Sequence, residues 1–211
     1  MNTVTGVLLA VALLVSALDW CAVATRRRTL EYVCKPAAAL TFLAAAVVVD
    51  PASDATRPWF CVALVACAVG DVFLMLPRDE FIAGLAAFAV AQACFAIGFA
   101  QESVDSARLV VGVAVVAAIA MPLALRFVQA LRASGSNRLV PPVVAYVAVI
   151  GAMVACAIGT GRAWGMVGAA LFLVSDALIG ETRFVAPRVW GPVAVIVTYH
   201  LALSGLVVSL A

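Results

Sequence analysis

The chain has 211 residues, 66% of them hydrophobic and 11% charged, with thirteen Lys and Arg against eleven Asp and Glu. A soluble domain usually carries about 25% charged residues, so a water-soluble globule is excluded and the bilayer is the solvent that fits. The net charge is only +2 and the Arg residues are scattered, which excludes a nucleic-acid partner.

A spanning helix needs about 20 mostly apolar residues, and eight such runs can be traced. The fold class expected is all-α: a bundle of eight transmembrane helices forming a single domain over residues 1–211. The first helix runs from Val4 to Thr25 and ends at Arg26-Arg27-Arg28. No basic residue precedes it, so it reads as a retained helix and not as a cleaved signal peptide. The second runs from Glu31 to Val49, with Lys35-Pro36 near its start. Asp50 to Arg57 is a loop rich in turn residues. The third runs from Pro58 to Leu76 and stops at Pro77-Arg78-Asp79-Glu80, a solvated turn. The fourth covers Phe81 to Ala100. The fifth covers Val104 to Phe127, with a kink expected at Pro122. After a loop from Ala130 to Asn137 come the sixth (Leu139 to Thr160), the seventh (Ala163 to Gly180) and the eighth (Pro187 to Leu210).

The basic residues set the orientation. With the N-terminus outside, the inner connections hold Arg26, Arg27, Arg28, Arg78, Arg126, Arg132, Arg138, Arg183 and Arg188, and the outer ones only Arg57, Arg108 and Arg162. The positive-inside rule favours this arrangement, with both termini outside.

Topology fixes depth. Asp71 on the third helix and Asp176 on the seventh both lie about a turn and a half from the cytoplasmic end. Lys35, Asp19 and Tyr146 fall in the same inner half. Four charged side chains from four helices thus converge on one layer, and a charge within a span normally faces the bundle interior or a cavity. Asp71 and Asp176 are the candidate catalytic carboxylates, against the alternative of structural Asp residues that hold helices together. Gly70 beside Asp71 permits close helix approach. Lys35, the only lysine, reads either as a snorkelling interfacial residue or as a counter-ion or phosphate ligand. Asp19, next to Trp20, reads as an interfacial pair or a site residue. Gln92 in mid-helix could line a cavity. His200 is the only histidine; it excludes bis-histidine haem ligation within one chain and a multi-histidine zinc site, and reads as a buried hydrogen-bonding group or a substrate contact. Cys21, Cys34, Cys61, Cys67, Cys94 and Cys156 lie in or at the edge of apolar runs without a CxxC pair, so neither a disulfide framework nor a zinc site is expected.

Val69-Gly70-Asp71-Val72-Phe73-Leu74 is echoed by Val174-Ser175-Asp176-Ala177-Leu178-Ile179, four spans later. A parallel four-plus-four duplication would produce this, and so would chance between apolar helices. An intramembrane aspartyl protease is disfavoured, since the stretch before Asp71 lacks the first glycine of GxGD and the second Asp follows where it should precede.

Lys35-Pro36, Gly70-Asp71 through Leu74-Met75-Leu76-Pro77, Phe81 to Leu85, Tyr146 to Met153, Gly168 to Phe172 with Ser175-Asp176, and Thr198-Tyr199 together resemble the YhhN family of lysoplasmalogenase-like membrane proteins. Two positions depart from the family pattern: Ala91-Gln92 stands for an Ala-His pair, and Ala202-Leu203 for Ala-Gln, with His200 nearby. The resemblance implies an eight-helix membrane enzyme that hydrolyses the vinyl ether bond of lysoplasmalogens, a lipid substrate, to a fatty aldehyde and a glycerophospho-headgroup. It implies residence in a bacterial plasma membrane. The residues suit that chemistry: one protonated carboxyl as acid, one carboxylate as base or cation stabiliser, and Lys35 aiding the pair or holding phosphate. The two roles are not assigned between Asp71 and Asp176. No cofactor or metal is required. Substrate contacts are expected from Lys35, Tyr146, Gln92, His200 and Asp19. The competing readings are a proton-coupled transporter or lipid carrier, in which the same carboxylates are proton or substrate sites, and a non-catalytic scaffold.

Overall fold

The structure, a computed structural model, describes residues 2–78 and 80–211. Among these lie eight α-helices: α1 (Thr3–Ala24), α2 (Arg28–Val48), α3 (Thr56–Met75), α4 (Phe81–Ala100), α5 (Ser106–Ala133), α6 (Val140–Thr160), α7 (Ala163–Gly180) and α8 (Gly191–Val208). A 3₁₀ turn, Asn137–Leu139, leads into α6, and a π-helical turn, Glu181–Val185, continues α7. Eight helical segments are long and apolar enough to cross a membrane.

The polarity of the bundle is the reverse of a soluble protein's. Along α1, Val4, Val7, Val11, Leu14 and Leu18 form an exposed stripe, while Thr5, Ser16 and Asp19 are buried. Lipid is as apolar as leucine, so apolar residues gain nothing by leaving it, whereas polar groups must find partners inside. The Ser16 hydroxyl, for example, donates to the Ala12 carbonyl oxygen at 2.7 Å.

Four sequential hairpins, α1–α2, α3–α4, α5–α6 and α7–α8, form the tightest packing units. Small residues set the close approaches. Gly168 on α7 and Gly205 on α8 face each other, and a Cβ added to Gly168 would stand 2.7 Å from the Leu206 backbone nitrogen. A Cβ on Gly70 would meet the Phe88 ring at 2.7 Å, so Gly70 does admit α4 against α3.

The turn from α1 to α2 places Arg26 in the left-handed region at φ 56°. There the Arg27 amide reaches back to the Ala22 carbonyl at 2.8 Å, the six-to-one bond that closes a helix end. Asn2 caps α1 by accepting from the Thr5 amide at 2.8 Å and donates to the Val48 carbonyl at 3.0 Å. The Ala52 amide donates to the Leu210 carbonyl at 2.7 Å. The start of α1, the end of α2 and the end of α8 therefore share one end of the bundle. The arginine-rich connections lie at the other end.

Several boundaries differ from expectation. The fifth helix does not stop at Phe127; α5 continues through Pro122 to Ala133, so Arg126 and Arg132 sit on helix and the loop after it shrinks to residues 134–136. The seventh continues past Gly180 in π form, with the Ala186 amide bonded to Glu181 O at 3.0 Å. Ala186 then turns extended (φ −156°, ψ 129°), as the residue before Pro187 must. The eighth helix starts at Gly191, after that extended stretch. In the turn after α3, Arg78 and Glu80 are exposed, and Asp79 lies outside the described residues.

Candidate active site

Two tyrosine–aspartate units, Tyr199–Asp71 buried and Tyr146–Asp176 half-buried, organise the interior. Asp71, in the C-terminal half of α3, accepts a hydrogen bond from the Tyr199 hydroxyl of α8 at 2.7 Å. Asp176, on α7, accepts from the Tyr146 hydroxyl of α6 at 2.5 Å. Each pair spans two helices, so each carboxyl is oriented by a group that its own helix cannot supply. A phenol in a low-dielectric interior makes a strong bond to a carboxylate. Phe88 and Phe172 pack edge-on against the Tyr199 ring at 5.8 and 5.5 Å and hold it in place.

The charges group less evenly than their depths suggest. Lys35 forms an ion pair with Glu31 at 3.0 Å, one helical turn away, and its charge also reaches Asp71 and Asp19. Asp176 stands apart from this group, with Tyr146 as its hydrogen-bond partner. Asp19 is fully buried, and neither of its carboxyl oxygens has a hydrogen-bond partner among the described residues. Gln92 is fully buried beside Tyr146, and both its amide atoms lack a partner in good geometry among the described residues. His200 is buried against Trp20 and Phe42. Its Nδ1 accepts from Trp20 Nε1 at 3.0 Å, and its Nε2 has no partner among the described residues.

Two openings meet at this layer. An apolar slot runs between α4, α5, α6 and α7, walled by Leu85, Phe88, Leu123, Phe127 and Ile150. Tyr146 and Asp176 lie on its wall. The slot exists because α5 packs on α6 and on the π-helical turn and hardly touches α4. At its inner end Phe184 stacks edge-on against Phe81 and Phe127 at 5.7 and 5.9 Å. Beyond these rings a polar vestibule is lined by Arg28, Glu31, Glu80 and Arg183, and an adjoining recess adds Lys35. Leu74 and Phe81 border slot, vestibule and recess alike. The Arg183 guanidinium lies 4.1 Å above the Phe81 ring, a cation–π contact. A bidentate pair, Arg126 to Glu181 at 2.8 and 2.9 Å, ties α5 to the π-helical turn beside the mouth.

The sequence model of the YhhN family matches residues 30–210. This chain belongs to the YhhN family. Two relatives, from Mycobacterium bovis and Mycobacterium tuberculosis, are each named lysoplasmalogenase, and each is 33% identical over 150 residues. The matched region covers 68% of this chain and 56% of each relative, so the chain spans about half the length of the curated relatives it matches. No solved structure matches. Membership of the YhhN family agrees with the eight apolar helices, and the chain is an integral membrane protein.

Within this YhhN chain the sequence candidates divide. Tyr146 and Asp176 line the slot and Lys35 lines the recess, whereas Asp71 is buried against Tyr199 and lines none of these spaces. Asp19 is fully buried and lines none of these spaces. Gln92 is adjacent to Tyr146 without being part of the slot wall. His200 joins a separate contact with Trp20. Tyr199 was not among the residues expected to form the site, yet it orients Asp71. Its signal was a phenol in mid-span, a group that needs a partner when buried. Arg28, Glu31 and Arg183 were likewise read only as charges at helix ends.

Proposed function

We propose that this protein hydrolyses the vinyl ether bond of a lysoplasmalogen-type lipid within a bacterial plasma membrane, with its arginine-rich end in the cytoplasm. The observation that carries the reading is the Tyr146–Asp176 unit on the wall of an apolar slot whose mouth opens on a charged vestibule that includes Arg28 and Arg183. A single-chain lipid matches that profile: its chain in the slot, its phosphate near Lys35, Arg28 and Arg183, and its ether bond at the level of Asp176. The names of the two mycobacterial relatives support the same chemistry.

In this mechanism Asp176, as the neutral acid, gives its proton to the alkene carbon remote from oxygen. A C–H bond forms, the π bond is consumed, and an oxocarbenium ion results. Water adds to the cationic carbon and passes its proton to a carboxylate. The hemiacetal then gives its hydroxyl proton to Asp176 while the departing glycerol oxygen takes the proton held by Asp71; the C–O bond breaks, the fatty aldehyde and the glycerophospho alcohol leave, and both carboxyls return to their starting states. The sum is one water consumed and one ether cleaved. Asp71, charge-compensated by the nearby Lys35, serves as the anion that stabilises the cation and takes the water proton. Tyr146 and Tyr199 orient the two carboxyls, which converts binding into positioning.

The experiment is aldehyde release from a lysoplasmalogen by purified protein in detergent, beside Asp71→Asn and Asp176→Asn. Loss of release in both folded variants supports the reading. Full activity in either one removes that residue from the mechanism. A folded wild type that releases no aldehyde, yet shows pH-gradient-driven lipid flux in liposomes, is a transporter.

A further inference from the structure

Three side chains of the π-helical turn, Glu181–Val185, point three ways. Glu181 accepts a bidentate bond from Arg126 on α5 at 2.8 and 2.9 Å and stands 3.5 Å from Arg188. Arg183 lies over the Phe81 ring and lines the vestibule. Phe184 lines the slot, edge-on to Phe81 and Phe127. Adjacent residues of one turn thus face the two spaces, and the turn with its rings is the partition between them.

Two of the three rings are fixed to regular helix. Phe127 is buried within α5 beneath Gly180, where an added Cβ would meet its ring at 2.5 Å. Phe81 is buried in the first turn of α4. Phe184 is half-buried and belongs to a turn that has a second way to fold. The Ala186 amide bonds the Glu181 carbonyl, five residues back, at 3.0 Å. An α-helical turn would give that amide the Thr182 carbonyl, four residues back. The exchange turns the side chains by about 100°, one residue's step round the helix, and carries Phe184 off the other two rings. Pro187 has no amide, so the helix stops there in either form. What opposes the exchange is the ring packing and the Arg126–Glu181 pair. The arginine of that pair is 54% exposed, and exposed pairs are weak and screened by salt.

We propose that this turn is a gate at the arginine-rich end of the slot, with Phe184 as its leaf and the Arg126–Glu181 pair as its latch. The structure holds it shut. Open, it joins the apolar slot to the charged vestibule, as a lipid with its chain in one and its phosphate in the other requires. It also admits the water that hydrolysis consumes. That use of the gate rests on the hydrolase reading. The gate itself rests on the turn, the rings and the ion pair, and it would serve a carrier as well.

The test is thiol labelling of Ala177→Cys, a position on the slot wall, with the protein in lipid nanodiscs. The reagent is a permanently charged methanethiosulfonate, which does not enter lipid. Mass spectrometry resolves adducts at residue 177 from those at native cysteines. Rates are taken relative to a lipid-permeant maleimide, so that changes in thiol reactivity cancel. Labelling is expected to be slow in Ala177→Cys alone, several-fold faster when Arg126→Gln or Glu181→Gln is added, and faster still with Phe184→Ala. With Phe184→Ala in place, Glu181→Gln should add nothing, because no leaf is left to release. Arg132→Gln, exposed on α5 and outside the latch, should leave the rate as it is. Labelling that ignores Phe184→Ala would overturn the proposal. So would labelling that answers to Phe184→Ala but to neither latch variant, the result for a fixed wall. Because labelling needs no turnover, latch-dependent labelling without aldehyde release by the wild type keeps the gate and removes the hydrolase reading. Aldehyde release with latch-independent labelling removes the gate alone.

Discussion

The Tyr146 hydroxyl donates to Asp176 Oδ2 across 2.5 Å, and both groups lie on the wall of the apolar slot. The aspartate that faces the chain's path is thus held by a partner from α6 and not by a charge. Tyr146→Phe keeps the ring and removes the hydroxyl, leaving the carboxyl free to rotate. Aldehyde release is expected to fall by about 10- to 100-fold, carried by kcat with KM nearly constant. Steady-state kinetics on the folded variant check this, and an unchanged kcat would mean that the phenol only fills space.

His200 is expected to be structural. It accepts from Trp20 and takes no part in the slot wall. His200→Ala leaves a cavity and an unpaired indole N–H, at a cost of about 2–4 kcal/mol. The measurement is the thermal midpoint in detergent beside kcat: a lowered midpoint with kcat within a few-fold of wild type is the expected result. A kcat loss as large as that of Asp176→Asn would make His200 part of the chemistry.

The α7–α8 crossing depends on Gly168. Adding one methyl there places carbon 2.7 Å from the Leu206 nitrogen and 2.9 Å from the Ala202 carbonyl oxygen, both backbone atoms that cannot swing aside. Gly168→Ala should cost about 1–3 kcal/mol of stability. Gly6→Ala, whose Cβ would meet nothing within 4 Å, should cost nothing measurable in the same unfolding assay.

Outside the membrane, Glu102 offers a pH test. It lies between α4 and α5, mostly buried, 3.6 Å from Arg162. Burial pushes its carboxyl above the ordinary glutamate range, and Arg162 opposes the rise without cancelling it. The folded state therefore holds the proton more tightly than the unfolded chain. The stability this confers is complete below the ordinary glutamate value and is lost as pH rises through the raised one. Thermal midpoints across the weakly acidic range should decline for wild type relative to Glu102→Gln, which lacks the slope. Parallel profiles would remove the linkage.

The sequence carried the helix count because each span is a long apolar run between Arg, Pro and Gly. It carried the depth of Asp71, Asp176 and Lys35 because depth follows from counting along a helix. Rotation about the helix axis is a different matter. In α8 every face is apolar, so nothing local tells whether Tyr199 or His200 points at Asp71. The Tyr199 bond joins positions 128 apart and is set by how α8 packs on its neighbours. The π-helical turn was hidden for a related reason: Glu-Thr-Arg after Gly180 looks like a helix end, and its continuation depends on Pro187 and on Phe127 packed against Gly180. The slot was invisible because it is a property of α5 standing away from α4.

The separation of 128 positions between Asp71 and Tyr199 also has a meaning in time. Synthesis proceeds at about 5–20 residues per second, so α3 exists for many seconds before α8 has been made. Throughout that interval Asp71 is a polar group in a span without its phenol. Lys35 and Glu31, made earlier on α2, are the charged groups on hand to accompany it into the bilayer. A helix made long after α3 thus completes the surroundings of Asp71, and a chain truncated before α8 would carry an orphaned carboxyl that quality control could recognise.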